Sequence, residues 1–401
     1  MTPENAGQEP IALAELTTMR VGGVPAHMVT ATTQRDLIDA ARAVWASGGE
    51  WLVIGGGSNT VASDDGFEGT VIRVATRGIE ILPATVAEPG VVRVRVQAGE
   101  PWDELVVYTV GRGWSGIEAL SGIPGSTGAA PVQNIGAYGQ ELSTSLVAID
   151  FLDYATGEVL RLDAAALGLD YRTSVLKQGL QGIVLTVELA LHDTAEERAV
   201  LGQPLGRPVG YAQLAGALGV QLGDRVAITD VRDAVLVLRA SKGMVLNPDD
   251  PDTCSAGSFF TNPIVRESFA RTLPSDAPRW PLEPDEPDVV MPIGSLVSGT
   301  PLDAFVALQA ESAVSEHAGP VGERLVKLSA AWLIENAGIR RGFQLPGSRA
   351  AVSGKHTLAI TNTGGATAEE IAQLARFVQG RVQAEFGITL QPEPVLVGIT
   401  L

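Results

Sequence analysis

The sequence predicts a mixed α and β protein folded as two lobes. Three observations carry that expectation. Helical and strand periodicities alternate through the first half. A glycine-rich passage, Gly111 to Gly139, interrupts them without a periodicity of its own. A polar segment bearing Pro and Gly, Asp193 to Gly210, then separates this half from a second run of helices and strands. A chain of 401 residues has room for about two or three domains. With 45% apolar and 18% charged residues, each can bury a core.

The elements follow in order. Thr33, with Asp36 three residues on, predicts a helix whose Leu37, Ile38, Ala41, Val44 and Trp45 share a face and which Gly48 stops. Trp51 to Ile54 is a short apolar strand running into Gly55-Gly56-Gly57-Ser58-Asn59. Strands are expected at Val71 to Val74 and at the alternating Val92 to Val96. A helix starting at Pro101 carries Trp102, Leu105, Val106 and Val110. Val147 to Tyr154 and Glu158 to Leu162 read as a hairpin around Thr156-Gly157, and Ile183 to Leu191 as the strand closing this half. Beyond the linker, Thr229 to Ala240 is a helix and Phe259 to Ile264 a strand. Pro274 to Pro292, rich in Pro, Asp and Glu, is a surface insertion. Glu323 to Ala337 is read as a helix ended by Gly338, and Thr357 to Thr361 as a strand. Thr367 and Glu370 form a capping box ahead of Ile371, Leu374, Val378 and Val382.

Charge and composition exclude several functions. A net charge of -18 argues against nucleic-acid binding, which needs a basic face. A small anionic ligand stays allowed, since it responds to a few local cations. Met1 to Pro10 has no basic flank or apolar core, so no secretory signal is expected. No stretch reaches the ~20 apolar residues of a membrane span. Cys254 is the single cysteine, which fits a reducing cytoplasm. His27, His192, His317 and His356 lack the short spacing of metal ligands, so no metal is expected.

The chemistry concentrates in two glycine-rich stretches. Consecutive glycines at 55–57 let successive N–H groups converge on an anion, and without Cβ atoms the chain can touch a pyrophosphate. The spacing is neither a Rossmann fingerprint nor a P-loop, and a plain tight turn is the competing reading. Ser121-Gly122-Ile123-Pro124-Gly125-Ser126-Thr127-Gly128-Ala129, then Gln133-Asn134-Ile135-Gly136-Ala137-Tyr138-Gly139, suits an extended polar ligand lying close to backbone. From the residues alone, no more follows.

Gly55 to Asn59 and Gln133 to Gly139 resemble the flavin-binding signatures of the UDP-N-acetylenolpyruvoylglucosamine reductase family. The similarity continues through Tyr171-Arg172-Thr173-Ser174, Ala256 to Pro263 and Pro392-Glu393-Pro394, in family order, over roughly Thr17 to Gly398. It implies an α+β fold: a vanillyl-alcohol-oxidase-type FAD-binding domain of two subdomains, plus a smaller C-terminal α+β substrate domain. The expected boundaries are a tail at 1–15, the FAD domain at 16–193, a linker at 194–210 and the substrate domain at 211–398, with an insertion at about 265–320.

The implied activity is NADPH-dependent reduction of the enolpyruvyl ether of UDP-N-acetylglucosamine through noncovalent FAD. The product, UDP-N-acetylmuramate, enters peptidoglycan synthesis in the cytoplasm, and with it cell shape and division. Other wall-precursor enzymes are candidate partners. In the family's terms Arg172 stabilises the charge developing on the substrate carboxylate, Glu393 assists as an acid and Ser258 delivers the proton. Gly55, Gly56, Gly57, Ser58, Asn59, Gly125, Ser126, Gly128, Ala129, Asn134, Gly136, Ala137, Tyr138, Ile183 and Arg239 fall to the flavin. Tyr211, Lys242, Asn262, Lys327 and Gln344 fall to the substrate, Tyr211 resembling the tyrosine of a closing substrate loop. No histidine lies in the glycine-rich loops to tether flavin. Two rivals remain: an oxidase of the same fold using oxygen on an alcohol, and a UDP-sugar-binding protein without catalysis. Arg172, Ser258 and Glu393 together weigh against the second.

Overall fold

The computed structural model describes residues 11–83, 89–282 and 324–401. Residues 1–10 of the expected tail and 283–320 of the expected insertion lie outside these. The chain opens β1 (Pro25–Ala31), α1 (Gln34–Ala46), β2 (Trp51–Ile54), β3 (Thr60–Ala62), β4 (Phe67–Val74). β4 lies between β1 and β2 and pairs parallel with both. Parallel strands of one sheet need a crossover connection, and α1 supplies the one between β1 and β2, which flank β4. Its Thr33 cap accepts from the Asp36 N–H, and Leu37 and Ala41 share a core with Ile72 and Val74.

The second sheet is antiparallel. It uses β5 (Ile79–Ile81), β6 (Val91–Gln97), β7 (Trp114–Ser115), β10 (Leu146–Asp153), β11 (Val159–Asp163) and β12 (Gly182–Asp193), in the order β11-β10-β12-β6-β5 with β7 on β12. The short pair β8 (Gly136–Ala137) and β9 (Gln140–Glu141) stands apart. β12 is buried continuously from Ile183 to Leu189, as a central strand covered on both faces must be. On β6 the alternation sorts Val94 and Val96 into the core and Arg93 and Arg95 onto the other face, where both pair with Glu188. Helix α2 (Trp102–Arg112) buries Trp102, Leu105, Val106 and Val110 in that core.

The later half has its own core. After α3 (Ala195–Leu201), α4 (Ala212–Leu218) and α5 (Ile228–Ser241) come β13 (Ile264–Arg266), α6 (Glu267–Ala270), β14 (Arg279–Pro281) and β15 (Leu325–Leu328). These precede α7 (Ala330–Asn336), β16 (Ala350–Val352), β17 (Ile360–Asn362), α8 (Ala368–Phe386) and β18 (Val395–Val397). β15 lies between β13 and β14. Helix α8 keeps both hydrogen bonds of its capping box and packs Ile371, Leu374, Val378 and Val382 into a core with Leu333 and Ile334. β18 then crosses back to pair parallel with β3. That return brings Glu393 to the glycine turn.

Several elements differ from the sequence reading. Pro101 caps α2 rather than starting it. Gly111 to Gly139 holds short regular pieces, including the 3-10 turns Glu118–Leu120 and Thr127–Gln133, whose three-residue repeat leaves no 3.6 period. The linker segment contains α3, which buries no residue and so leaves no apolar stripe. Phe259 to Pro263 is not a strand. Phe259 and Phe260 are adjacent yet both buried, which defeats alternation, and only the bridge Phe260–Pro392 pairs there. Leu325 to Leu328 is a strand, and the helix waits for Ser329, whose side chain accepts from Trp332 N. Leu325 and Leu328 happen to satisfy a helical spacing, but burial alternates over exposed Leu325 and buried Val326. The strand expected at Thr357 begins at Ile360.

Candidate functional site

Two glycine turns face each other at the end of β2. Ser58 Oγ donates to Pro124 O at 2.9 Å, fastening the first turn to the second. A Cβ on Gly56 would stand 2.6 Å from Gly125 Cα. Gly57 holds φ +58°, and a Cβ there would stand 2.0 Å from Leu16 O. Trp102 N donates to Gly125 O at 3.0 Å and Gly128 N to Ala98 O at 2.8 Å, so the second turn is anchored on α2 and the sheet.

A cavity of about 300 Å³ opens on these turns, lined by Gly55 to Asn59, Gly125, Ser126, Ala129 and Gly136 together with Arg172, Arg239, Ser258 and Glu393. A second of about 230 Å³, with Gly128 and Ile183, shares Val53, Gly55, Ser126, Ala129 and Val132 with it. Two cavities that share the glycine turn, lined in good part by small residues that leave the backbone accessible, fit an extended dinucleotide such as FAD.

The polar end is built from three distant segments. Arg172 sits in the turn bridged by Asp170 and Thr173, at φ +54°, a strained setting for a non-glycine residue. Its Nη2 donates to Gly136 O at 3.0 Å and its Nε lies 3.5 Å from Glu393 Oε1. Glu393 keeps only 11% of its side chain exposed. Burial pushes its carboxyl above the usual range, against the pull of Arg172 and Lys177. Its backbone is fixed twice: its N–H donates to Phe259 O at 2.9 Å, and its carbonyl accepts from Asn59 Nδ2 at 3.2 Å. Ser258 follows Gly257, which turns the chain at φ +75°, and lines the same cavity.

Arg239, on α5, is 9% exposed. Its Nη2 donates to Met244 O at 2.9 Å, while its Nε is buried without a partner. Burial pulls its pKa down to about 10, so it is still a cation at neutral pH. Tyr138 and Tyr211 meet edge to face at 5.8 Å, and Lys242 Nζ lies 5.4 Å from the Tyr138 ring and 3.0 Å from Gln213 Oε1. Lys327 Nζ stands 4.4 Å from the Tyr171 ring. Asn262 hydrogen-bonds the Tyr171 phenol, and its Oδ1 accepts from Ala330 N at 2.9 Å.

Four candidates are placed otherwise. Asn134 spends its amide inside the loop, donating to Glu141 and Asp170 O and accepting from Ser143 N, so it shapes the turn rather than lining the cavity. With Ala137 and Tyr138, which also lie outside the two cavities on the glycine turns, it borders another cavity that shares Gly136 and Arg172 with the first. Gln344 donates to Ser348 O in its own loop; like Tyr211, Lys242, Asn262 and Lys327 it lines none of the cavities on the glycine turns, but unlike them its polar group is spent inside its own loop.

Sequence reading placed Gln133 in the second motif but gave it no role; its Oε1 accepts from Asn59 Nδ2 at 3.2 Å beside the cavity. It missed Asp103, which accepts from Arg232 Nη1 and Nη2 at 2.7 and 2.9 Å and from Gly122 N at 2.6 Å, tying α2, α5 and the second turn together. Burial opposes its ionisation, yet the Arg232 and Gly122 hydrogen bonds hold its carboxyl below the usual range. No local pattern announces a pair 129 residues apart. Among the described residues no helix is long and apolar enough to cross a membrane.

Residues 25–163 match the family described as FAD binding domain, and residues 249–397 match the UDP-N-acetylenolpyruvoylglucosamine reductase C-terminal domain. The chain is similar to the UDP-N-acetylenolpyruvoylglucosamine reductase of Leifsonia xyli subsp. xyli, 61% identical over 98% of this chain and 100% of that one. The enzyme of that name from Saccharopolyspora erythraea is 45% identical, over 97% and 95%. Among solved structures, UDP-N-acetylenolpyruvylglucosamine reductase from Thermus caldophilus aligns with a TM-score of 0.58 at 23% identity, covering 97% and 98%; at that identity the likeness concerns the fold.

Proposed function

The chain belongs to the UDP-N-acetylenolpyruvoylglucosamine reductase family, and on that premise we propose how its own residues carry out the reduction. It is an FAD-dependent oxidoreductase with an α+β fold, reducing the enolpyruvyl ether of UDP-N-acetylglucosamine to UDP-N-acetylmuramate with NADPH as hydride donor. Noncovalently bound FAD supplies the hydride relay between NADPH and the sugar. We assign residues 16–193 to the FAD domain and 211–398 to the substrate domain, joined by 194–210.

Hydride reaches the terminal carbon of the enolpyruvyl group, and electron density flows into the carboxylate. Arg172 meets that charge with a planar two-pronged donor, and its strained turn and Gly136 contact hold it in advance of reaction. Glu393, kept protonated over a wider pH range by burial, donates toward the same oxygens. Ser258 gives the proton to the carbon bearing the carboxylate. As a weak acid it succeeds only when already in place. Gly55 to Asn59, Gly125, Ser126, Gly128, Ala129, Gly136 and Ile183 form the flavin cradle, and Arg239 faces the cofactor as a buried cation. Tyr211, Lys242, Asn262 and Lys327 anchor the nucleotide and diphosphate, supplying local cations on a chain of net charge -18. The cytoplasm is the expected compartment, wall synthesis, cell shape and division the processes served, and other wall-precursor enzymes candidate partners.

One observation carries this reading: Arg172, Ser258 and Glu393 border one cavity with the glycine turns. It is tested by reducing the yellow protein anaerobically with NADPH, then adding the enolpyruvyl UDP-sugar. Stoichiometric flavin reoxidation with a product two hydrogens heavier supports it; a flavin that stays reduced until air is admitted rejects it.

A further inference from the structure

We propose that Thr18 is a positioning residue for Ser258, holding the proton donor in register with the flavin turn. The inference rests on Ser258 as the proton donor. The segment Thr17 to Val21 lies between the two lobes. On one side Thr18 N donates to Gly57 O at 3.2 Å. On the other, Met19 O accepts from Asn362 Nδ2 at 3.1 Å and faces Cys254 Sγ at 3.6 Å. Met19 and Val21 are buried in the core of the later half.

The Thr18 hydroxyl joins the two sides. Its Oγ1 is 2.6 Å from Ser255 O and 3.3 Å from Ser58 O. A hydroxyl has one proton, so the short contact takes it and Ser58 O is the weaker alternative. From Ser255 the path is short. Ser255 Oγ accepts from Gly257 N at 3.2 Å, and Gly257 turns at φ +75° so that Ser258 lines the cavity. On the opposite flank Asn59 Nδ2 holds the Glu393 carbonyl, and Glu393 N holds Phe259 O. The Ser258 segment is therefore pinned to the flavin turn from both sides, through Thr18 behind and through Asn59 and Glu393 in front.

Proton delivery from a serine is sensitive to such placement, because reach and alignment supply what its acidity lacks. Removing the Thr18 hydroxyl leaves the Ser255 carbonyl without that donor and loosens the turn at Gly257. It leaves intact the backbone bond to Gly57, the Met19 contacts and the β18–β3 pairing, which keep the lobes docked. The effect should then fall on proton delivery and spare flavin binding.

The test uses full-length, FAD-loaded Thr18→Val, Thr18→Ala, Thr18→Ser, Ser255→Ala and Ser258→Ala. For each, four quantities are measured: the FAD dissociation constant, anaerobic reduction by NADPH, reoxidation by the enolpyruvyl UDP-sugar, and the solvent deuterium isotope effect on reoxidation. Thr18→Val should slow reoxidation about tenfold, the factor of one lost hydrogen bond, and raise its isotope effect. Its FAD affinity and NADPH reduction should match wild type, and Thr18→Ser should restore reoxidation. Ser255→Ala keeps the carbonyl that Thr18 holds and removes the Oγ that takes Gly257 N, so it should slow reoxidation in the same selective way; Thr18→Ala decides the question should Thr18→Val fail to fold. If Ser258→Ala slows reoxidation while Thr18→Val and Ser255→Ala do not, or if they slow both half-reactions equally, Thr18 is no positioning residue and the proton-donor reading survives. If Ser258→Ala leaves reoxidation unchanged, both fall together.

Discussion

The glycine turns and the polar cluster border one cavity but are made in opposite ways. The turns are short in sequence and built from backbone: Gly56 has no room for a Cβ beside Gly125, and neighbouring strands and helices hold both turns from below. The cluster draws Arg172, Ser258 and Glu393 from places more than 80 residues apart, and side-chain charge and burial set its properties. A site made of backbone should fail by losing its ligand. One made of distant side chains should fail by losing rate while the ligand stays bound.

The largest effect should come from the turns. Gly56→Ala needs no forbidden φ, so its cost is the collision with Gly125 alone. FAD affinity should drop by about a hundredfold, the scale of an overpacked contact. Fluorescence titration measures this, and near-normal FAD binding would mean that the turns do not form the cradle.

Next comes Arg172→Lys, which keeps the charge and loses the fork. Single-turnover reoxidation should slow about a hundredfold while substrate binding to oxidised enzyme changes little. A variant that loses binding and keeps its rate would make Arg172 an anchor.

Glu393→Gln keeps a donor, so it should cost about tenfold, the factor of one altered hydrogen bond, and change the shape of the pH profile. Because burial raises this carboxyl, its protonated form persists above the ordinary range, and reoxidation in the wild type declines as pH rises through that raised value. The variant should lack this decline; an unchanged profile would assign the decline to another group. Lys242→Met should weaken substrate binding about fivefold, as expected for a half-exposed cation. Gln344→Ala should do least, since its amide serves its own loop. A tenfold loss of substrate affinity there would mean that this loop reaches the nucleotide.

The same contrast explains what could be read from the sequence. The strand ending at Ile54 and the glycines after it are local signals, as are the Thr33 cap and the capping box at Thr367, so those features were legible. The cluster was legible only through resemblance, because no period or spacing links Arg172 to Glu393. Misread elements share one cause: tertiary partners override local pattern. Leu325 to Leu328 has helical spacing, but β13 and β14 recruit it as a strand. Phe259 and Phe260 are a β-rich pair, but both are drawn into the core and the strand is lost. Asp103 and Thr18 escaped notice, and Gln133 was given no role, because their partners lie far along the chain.

The central claim, that cradle and cluster fail separately, is met most directly by Ser258→Ala in anaerobic single turnover. The variant should bind FAD and take hydride from NADPH at nearly the wild-type rate, because the cradle is untouched. Reoxidation by the enolpyruvyl UDP-sugar should slow by about two powers of ten. Equal slowing of both half-reactions, or no slowing of either, would contradict the separation and remove Ser258 from the mechanism.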